Sequence, residues 1–265
     1  KPDIGVWSNS VNKMDWNGRV ALITGAGSGI GQSTAQEFAA LGAKVAVLDR
    51  DERAGAETLE AILEAGGEAI FLPTDVTCEE SVAASVAETV SRFGRLDAAY
   101  NNAGISPDTG ATADCSREIW DQIFAVNVTG VWLCMKYEIQ AMLKTGGGAI
   151  MNTGSVSSLR AAPQLPAYVA SKHALIGLTK VTALEYAKQN IRVNIVCPGV
   201  IETPMLAKKA AEGFFSIDDY VQSSVPMNRA GRPDEIASAV IWACSEAASY
   251  LTGATLSVDG GMVIA

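Results

Sequence analysis

The chain has 265 residues, of which 48% are hydrophobic and 18% charged, and it carries a formal net charge of −9. It is too apolar to remain disordered, and its acidic balance excludes nucleic acid as a partner because duplex binding depends on Lys and Arg. It contains no run of about eighteen apolar residues, which excludes a transmembrane helix and a membrane partner. The five cysteines are scattered without a Cys-x-x-Cys pair, so we expect no disulfide, no metal site and a cytoplasmic location.

Short apolar segments alternate with helical patterns along the whole chain. The predicted strands are 19–24, 44–49, 68–73, 96–100, 149–153, 191–197 and 255–258. The predicted helices are 30–41, 52–65, 79–93, 120–143, 168–189 and 233–244. The strands are apolar on both faces, as buried parallel strands are. This pattern predicts the α/β class, with a doubly wound, parallel, seven-stranded sheet joined by right-handed crossovers.

The domain organisation predicted from this pattern is simple. Residues 1–15 form an N-terminal extension that lacks the apolar core of a secretory signal, and residues 16–265 form a single domain. Residues 200–232 are the one long irregular stretch without a predicted strand, so we expect a lid or binding loop there. The substrate loop is expected at about 200–225.

A glycine-rich turn directly follows the first predicted strand. Residues 24–31 read TGAGSGIG, and a predicted helix begins within this motif. A glycine-rich turn can serve packing alone, but between a strand and a helix it lets backbone amides approach a pyrophosphate, which the helix N-terminus attracts. No Gly-Lys-Ser/Thr follows, which excludes the usual nucleoside-triphosphate P-loop. The turn predicts a dinucleotide site whose residues are Gly25, Ser28, Gly29, Ile30 and Gly31.

Asp49 ends the second predicted strand, eighteen residues beyond Gly31. A carboxylate here can accept hydrogen bonds from the adenosine ribose and would repel a 2′-phosphate. Arg50 could instead pair with that phosphate, but Ser28 rather than Arg or Lys occupies the glycine turn. We therefore expect NAD as the cofactor, with some tolerance of NADP. Asp49 could also cap the helix that follows.

Polar side chains gather at the opposite end of the predicted cleft. Tyr168 and Lys172 are four residues apart on one helix face, and Ser155 follows the fifth strand at its carboxyl edge. A lysine ammonium favours the ionised form of a nearby tyrosine, which makes that tyrosine a usable base near neutral pH. Ser155 can stabilise charge on a substrate oxygen. His173, next to Lys172, lies about 100° round the helix and is expected to pack or cap.

With these motifs, the chain resembles the short-chain dehydrogenase/reductase family over residues 16–265. The residues that carry the resemblance are TGAGSGIG at 24–31, Asp75-Val76, NNAG at 101–104, NVTG with Asn127, Ser155, YVASK at 168–172 and PGVIET at 198–203. The resemblance implies a Rossmann-type sheet with strand order 3-2-1-4-5-6-7. It also implies hydride transfer between a nicotinamide cofactor and an alcohol or ketone, in a homotetramer.

The resemblance also implies a role for each matching residue. Tyr168 would be the general acid/base, Ser155 would polarise the carbonyl, and Lys172 would lower the tyrosine pKa and hold the nicotinamide ribose. Asn127 would anchor a water that relays protons from Lys172. The other implied cofactor contacts are Asp75 and Val76 at the adenine, Asn102 beneath the adenosine, Ile201 and Thr203 at the carboxamide, and Gly104 and Pro198.

The expected substrate pocket lies between Ser155, Tyr168 and the substrate loop. Its predicted lining is Ser106, Val156, Gln164, Met205, Leu206, Phe214 and Phe215. The apolar majority favours a hydrophobic or cyclic secondary alcohol or diol, and the chain is similar to bacterial dehydrogenases of such compounds. A 3-oxoacyl-carrier-protein reductase and a sugar 1-dehydrogenase are the enzymatic alternatives. A non-catalytic NAD(H)-sensing protein is the alternative from another class.

Overall fold

The computed structural model describes residues 13–107, 110–213 and 216–265, and these fold around a parallel seven-stranded sheet. The strands are β1 Val20–Thr24, β2 Lys44–Asp49, β3 Glu68–Pro73, β4 Ala98–Asn101, β5 Gly148–Thr153, β6 Ile191–Pro198 and β7 Thr255–Val258. The helices are α1 Gly29–Ala40, α2 Glu52–Glu64, α3 Glu79–Phe93, α4 Arg117–Phe124, α5 Val131–Thr145, α6 Pro166–Tyr186, α7 Pro204–Ala211, α8 Ile217–Ser224 and α9 Pro233–Cys244.

The strand order is β3-β2-β1-β4-β5-β6-β7, which confirms the predicted doubly wound sheet. The order reverses at β1, where Leu22 lies beside Ala46 of β2 on one side and Ala99 of β4 on the other. Loops leave β1 and β4 in opposite directions there, so a crevice opens at the carboxyl ends of the two strands. This crevice is where open α/β sheets bind their ligands.

Alternate residues of each inner strand enter two different hydrophobic layers. Ile23 joins the layer that includes α1 and α9, where the buried Trp16 meets Phe38 edge to face with ring centroids 4.7 Å apart. Leu22 joins the layer covered by α3, α5 and α6. The expectation of burial on both faces fails for β3 and β7, because each lies at an edge of the sheet and remains partly exposed.

The helix predicted over 120–143 is not continuous. It divides into α4 and α5, joined by a π-helical turn over Ala125–Gly130. A Cβ atom at Gly130 would lie only 2.9 Å from Val76 Cγ2, so this turn packs closely on the loop after β3. A π-helical turn contains one residue more than a regular α-helical turn. Such insertions are frequent at functional sites.

The stretch 200–232 is not irregular as predicted, because it contains α7 and α8. Thr203 caps α7 by accepting a hydrogen bond from the Leu206 N–H, and Pro204 occupies the first helical turn. Ser216 caps α8 through the Asp219 N–H. Both are ordinary helix-start signals in short helices. Among the described residues, no helix is both long and apolar enough to cross a membrane.

Candidate active site

The loops after β1, β4, β5 and β6 surround a cleft of about 420 Å³ at the carboxyl edge of the sheet. Most of the residues predicted for the site line it. They are Gly25, Ser28, Gly29, Ile30, Asp49, Arg50, Asp75, Val76, Asn102, Gly104, Ser106, Ser155, Tyr168, Lys172, Pro198, Ile201, Thr203, Met205 and Leu206. The cleft therefore joins the glycine turn, the polar cluster and α7 in one space.

The glycine turn is held close to the loop after β4. Gly25 has φ of 63°, and a Cβ there would lie 2.9 Å from Ala103 Cα. A Cβ at Gly31 would overlap the Gly25 carbonyl oxygen, so Gly31 shapes the turn without lining the cleft. Asn102 Nδ2 donates to the carbonyl oxygens of Thr24 and Gly25 at 3.2 and 3.1 Å, which pins the two loops together.

The start of α1 faces the cleft with its backbone N–H groups. Ser28 occupies the N-cap position but makes no capping hydrogen bond with its side chain. A Cβ at Gly29 would lie 3.2 Å from Thr203 Cγ2, so the turn is also narrow on the side of α7. The glycine cradle, formed by Gly25 and Gly29 at the N-terminus of α1, is a space that side chains would fill. Such a space fits the pyrophosphate of a dinucleotide.

Asp49 is fixed at the rim of the cleft by two backbone groups. Its Oδ2 accepts from the Gly27 N–H at 2.8 Å, and its Oδ1 accepts from the Asp51 N–H at 2.9 Å. Asp51, and not Asp49, caps α2 by accepting from the Ala54 N–H. The backbone thus holds both carboxylate oxygens of Asp49 at the cleft.

Tyr168 and Ser155 come from different elements and line the same part of the cleft. Tyr168 lies in the first turn of α6, and Ser155 follows β5 and caps a short 3₁₀ turn over Val156–Ser158. Ser155 Oγ accepts from the Ser157 N–H at 3.1 Å. That bond fixes the hydroxyl oxygen while leaving the hydroxyl hydrogen for another acceptor.

Lys172 is buried beneath Tyr168, with only 4% of its surface exposed. Its Nζ donates to the Thr153 carbonyl oxygen at 2.7 Å and lies 5.7 Å from the centroid of the Tyr168 ring. Burial lowers the pKa of the Lys172 ammonium to about 8, because removal from water disfavours the charged form. The charge of Lys172 is therefore present at neutral pH and lost in mildly alkaline solution. His173, by contrast, is exposed, and its Nδ1 lies 2.9 Å from the Val169 carbonyl oxygen.

Asn127 lies in the π-helical turn, completely buried, and does not itself line the cleft. Its Oδ1 accepts from the Ile105 N–H at 2.8 Å, and its Nδ2 donates to the Ile105 carbonyl oxygen at 2.9 Å. The amide also donates to Ser171 Oγ on α6. Asn127 therefore holds the loop after β4 against the helix that carries Tyr168 and Lys172.

Two residues predicted for the substrate pocket, Val156 and Gln164, do not line the cleft. Val156 is buried in a separate cluster with Val200 and Val221, behind the cleft lining. Gln164 is exposed, has φ of 65° and does not line the cleft. Phe214 lies outside the described residues, as does Phe215, so their predicted contribution remains a prediction.

Sequence reasoning missed several residues that line this cleft, and two of them make hydrogen bonds within the site. Thr153 supplies the carbonyl oxygen that Lys172 binds, and no residue type signals such a backbone contact. Lys209 also lines the cleft, and its Nζ donates to Ser106 Oγ at 2.8 Å. Lys209 could have been found from its spacing, because it lies one helical turn after the predicted lining residue Met205.

The fold and cleft define a Rossmann-type protein with a dinucleotide cradle and a Ser-Tyr-Lys cluster. Residues 25–263 match a family model described as enoyl-(acyl carrier protein) reductase. The chain belongs to the short-chain dehydrogenase/reductase family, which confirms the resemblance found in the sequence. It is therefore an oxidoreductase of this type.

Two curated relatives are similar over almost the whole chain. The 2,5-dichloro-2,5-cyclohexadiene-1,4-diol dehydrogenase of Sphingobium indicum is 43% identical over 93% of this chain and 98% of its own. The cyclohexanol dehydrogenase of an Acinetobacter species is 42% identical over 92% of this chain and 95% of its own. Both are named for the oxidation of ring alcohols.

Solved structures show the same fold. Levodione reductase superposes with a TM-score of 0.89 at 34% identity, over 94% of this chain and 99% of its own. A 3-ketoacyl-(acyl-carrier-protein) reductase from Brucella melitensis in complex with NADH has a TM-score of 0.86 at 36% identity, over 94% and 100%. A putative 2-deoxy-d-gluconate 3-dehydrogenase from Agrobacterium tumefaciens with bound NADP has a TM-score of 0.86 at 33% identity, over 96% and 100%. The fold thus binds a nicotinamide dinucleotide, and the glycine cradle of this chain fits one.

Proposed function

We propose that this chain is an NAD(H)-dependent dehydrogenase that interconverts a secondary cyclic alcohol or diol and the corresponding ketone. The observation that carries the proposal is the convergence of Ser155, Tyr168 and Lys172 on one cleft with the glycine cradle. The apolar side chains of Ile105, Leu165, Met205 and Leu206 in the same cleft support a hydrophobic ring as substrate. The names of the two relatives support the same class of compound.

In alcohol oxidation the chain's own residues manage the proton and the developing charge. The bound cofactor supplies the hydride acceptor, and in ketone reduction it supplies the hydride. Tyr168 takes the hydroxyl proton through its phenolic oxygen as the carbonyl forms. Ser155 donates its hydroxyl hydrogen to the substrate oxygen and so stabilises the charge on it. Lys172, as an ammonium, favours the phenolate form of Tyr168.

The proton taken by Tyr168 must then leave the buried end of the cleft. We propose that it passes by way of Lys172 and a water anchored near Asn127. The absence of a side chain at Gly104 supports this route, because a Cβ there would lie 3.3 Å from Asn127 Oδ1 and 3.5 Å from Lys172 Nζ. Gly104 thereby keeps open a small space between the two polar groups.

The preference for NAD over NADP is proposed from Asp49. Two backbone hydrogen bonds hold its carboxylate at the cleft, so it cannot easily turn away from an added phosphate. A ribose diol would donate to this carboxylate, whereas a 2′-phosphate would meet a like charge. Arg50 lines the same end of the cleft and offers the phosphate some compensation. We therefore expect NADP to be used poorly, but not excluded.

We also propose that the protein assembles as a homotetramer through α5 and α6. Trp132 of α5 is 46% exposed, and Val181 and Leu184 of α6 are 46% and 83% exposed. Large apolar side chains on two long neighbouring helices are typical of a surface that another subunit covers. Sedimentation equilibrium of the purified protein would test the subunit number.

The test of the proposed reaction is cofactor absorbance at 340 nm with cyclohexanol, cyclohexanediols, sugars and ketones, each with both cofactors. Turnover of ring alcohols with NAD is expected, and Tyr168→Phe should lower kcat by about 10²- to 10⁴-fold while cofactor binding is retained. Tyr186→Phe, at the far end of the same helix, is the control and should leave kcat unchanged. If wild-type protein binds NAD but oxidises none of these alcohols, the proposed function is wrong and the NAD(H)-sensing alternative gains support.

A further inference from the structure

Lys209 closes the cleft by reaching from α7 to the loop after β4. Its Nζ donates to Ser106 Oγ at 2.8 Å, and both residues line the cleft. The neighbouring Lys208 behaves differently, because its side chain is 78% exposed and lies 3.9 Å from Glu212 on the solvent side of α7. Two adjacent lysines on the same short helix are thus divided between solvent and cleft.

The position of Lys209 in the cleft differs from that of the other cationic lining residues. Among the cleft-lining residues that the structure describes, the cationic ones are Arg50, Lys172 and Lys209. Arg50 belongs to the adenosine end, and Lys172 lies beneath Tyr168. Lys209 shares its part of the wall with apolar side chains, including Met205 one helical turn earlier.

Ser106 is held at a set position relative to the reacting groups. The side-chain amide of Asn127 forms hydrogen bonds with both the N–H and the carbonyl oxygen of Ile105, the residue before Ser106. The same amide of Asn127 donates to Ser171 on α6, the helix that carries Tyr168. The backbone directly before Ser106 is therefore tied through Asn127 to the helix that carries Tyr168, which favours a defined position for a specificity contact.

We propose that Ser106 and Lys209 form a subsite for a second oxygen of the substrate, so that the preferred substrate is a cyclic diol rather than a simple ring alcohol. This inference rests on the proposed oxidation of ring alcohols and names the substrate more closely. The ammonium of Lys209 and the hydroxyl of Ser106 both donate to the remote hydroxyl oxygen, while the other hydroxyl meets Ser155 and Tyr168. An apolar wall alone would leave that remote hydroxyl without partners.

The test compares kcat/KM for the three positional isomers of cyclohexanediol with kcat/KM for cyclohexanol, with NAD. Wild-type protein should prefer at least one diol to cyclohexanol. Lys209→Met should lower that preference by about tenfold to a hundredfold, as expected for loss of a charge-assisted hydrogen bond, mainly through KM. Ser106→Ala should lower it by about three- to tenfold. Lys208→Met removes a similar charge from the solvent side of α7 and should leave the ratio as in wild type.

The possible failures of the two proposals are distinguishable. If kcat/KM of wild-type protein for cyclohexanol equals or exceeds its kcat/KM for every diol, the subsite is refuted while the proposed reaction stands. A variant Lys209→Met that loses diol and cyclohexanol activity in equal proportion also refutes the subsite. A stronger effect of this variant on 4-hydroxycyclohexanecarboxylate than on the diols would refute the assignment of a hydroxyl in favour of an anion. If wild-type protein oxidises no ring alcohol, the proposed function itself fails.

Discussion

Glu138 should make the stability of this protein depend on pH in a direction opposite to that of an ordinary salt-bridged carboxylate. It lies on α5 with no exposed surface, and its Oε2 accepts from Asn101 Nδ2 at 3.1 Å. Among the described residues, no partner reaches its Oε1. Burial raises the pKa of Glu138 from 4.5 to about 8, because a charged carboxylate loses its hydration there.

The sign follows from the protons bound in each state. Between pH 4.5 and about 8 the folded chain keeps the proton of Glu138, whereas the unfolded chain releases it. Stability therefore falls as pH rises through this range and levels off above it. At about 1.4 kcal/mol for each pH unit, the cumulative loss is roughly 5 kcal/mol, which is comparable with the whole stability of many domains.

Glu138→Gln replaces the acid with a neutral group of nearly the same shape that can still accept from Asn101. Between pH 4.5 and about 8, the variant should become more stable relative to wild type, its free energy of unfolding rising by about 1.4 kcal/mol for each pH unit compared with that of wild type. Urea unfolding of both proteins at intervals from pH 4 to 9, followed by circular dichroism, measures this difference. A difference that stays constant across that range would refute the reasoning, because it would mean that Glu138 ionises alike in the folded and unfolded chain.

Two other substitutions test the cofactor cradle. Asp49→Asn should raise the ratio of kcat/KM with NADP to kcat/KM with NAD by at least about tenfold, because it removes a fixed charge near the 2′-position. Asp51→Asn, which keeps the α2 cap, is the control and should leave this ratio unchanged. An unchanged ratio in Asp49→Asn would contradict the proposed role. Gly31→Ala should abolish cofactor binding measured by calorimetry, because its Cβ would overlap the Gly25 carbonyl oxygen. Gly110→Ala, whose Cβ would lie at an ordinary 3.5 Å from Asp114 Cβ, is the control, and normal binding by Gly31→Ala would contradict the packing argument.

The sheet and the cradle were predictable because their signals are local in the sequence. β2, β3 and β7 occur where the apolar segments predicted them, since a parallel strand is indicated by a short run of apolar residues between turn signals. The glycine turn was recognisable because glycines, strand and helix are contiguous. Asp49 was recognisable because it ends β2, and the strand end determines its position in the fold.

The π-helical turn could not be derived from local signals in the same way. The apolar spacing over 120–143 is compatible with a continuous helix, and the extra residue at Ala125–Gly130 depends on how closely Gly130 approaches Val76. That approach is a tertiary contact between segments distant in the sequence. The contact of Lys209 with Ser106 has the same origin, because 103 positions separate the two residues. In contrast, α7 and α8 could have been predicted in place of an irregular loop, since Thr203-Pro204 and Ser216 are standard helix starts.

Glu138 is a buried titratable residue at a position where the helical pattern predicts an apolar side chain. It follows Met135 at a spacing of three residues and precedes Met142 by four, so it occupies a position that the helical pattern reserves for the core. Its partner Asn101 ends β4 and also donates to Asn152 Oδ1, whose amide in turn donates to Thr179 on α6. This buried polar chain therefore joins β4, β5, α5 and α6.

The position of that polar chain connects stability with the site. Asn101 directly precedes Asn102, whose amide holds the glycine turn, and Thr179 lies on the helix that carries Tyr168 and Lys172. A neutral Glu138 keeps this network free of charge, whereas its ionisation would place an uncompensated charge between the two halves of the cleft. The cofactor cradle and the proposed catalytic cluster are thus supported from below by one network. The free energy of unfolding and the geometry of the cleft should consequently respond together when Glu138 loses its proton.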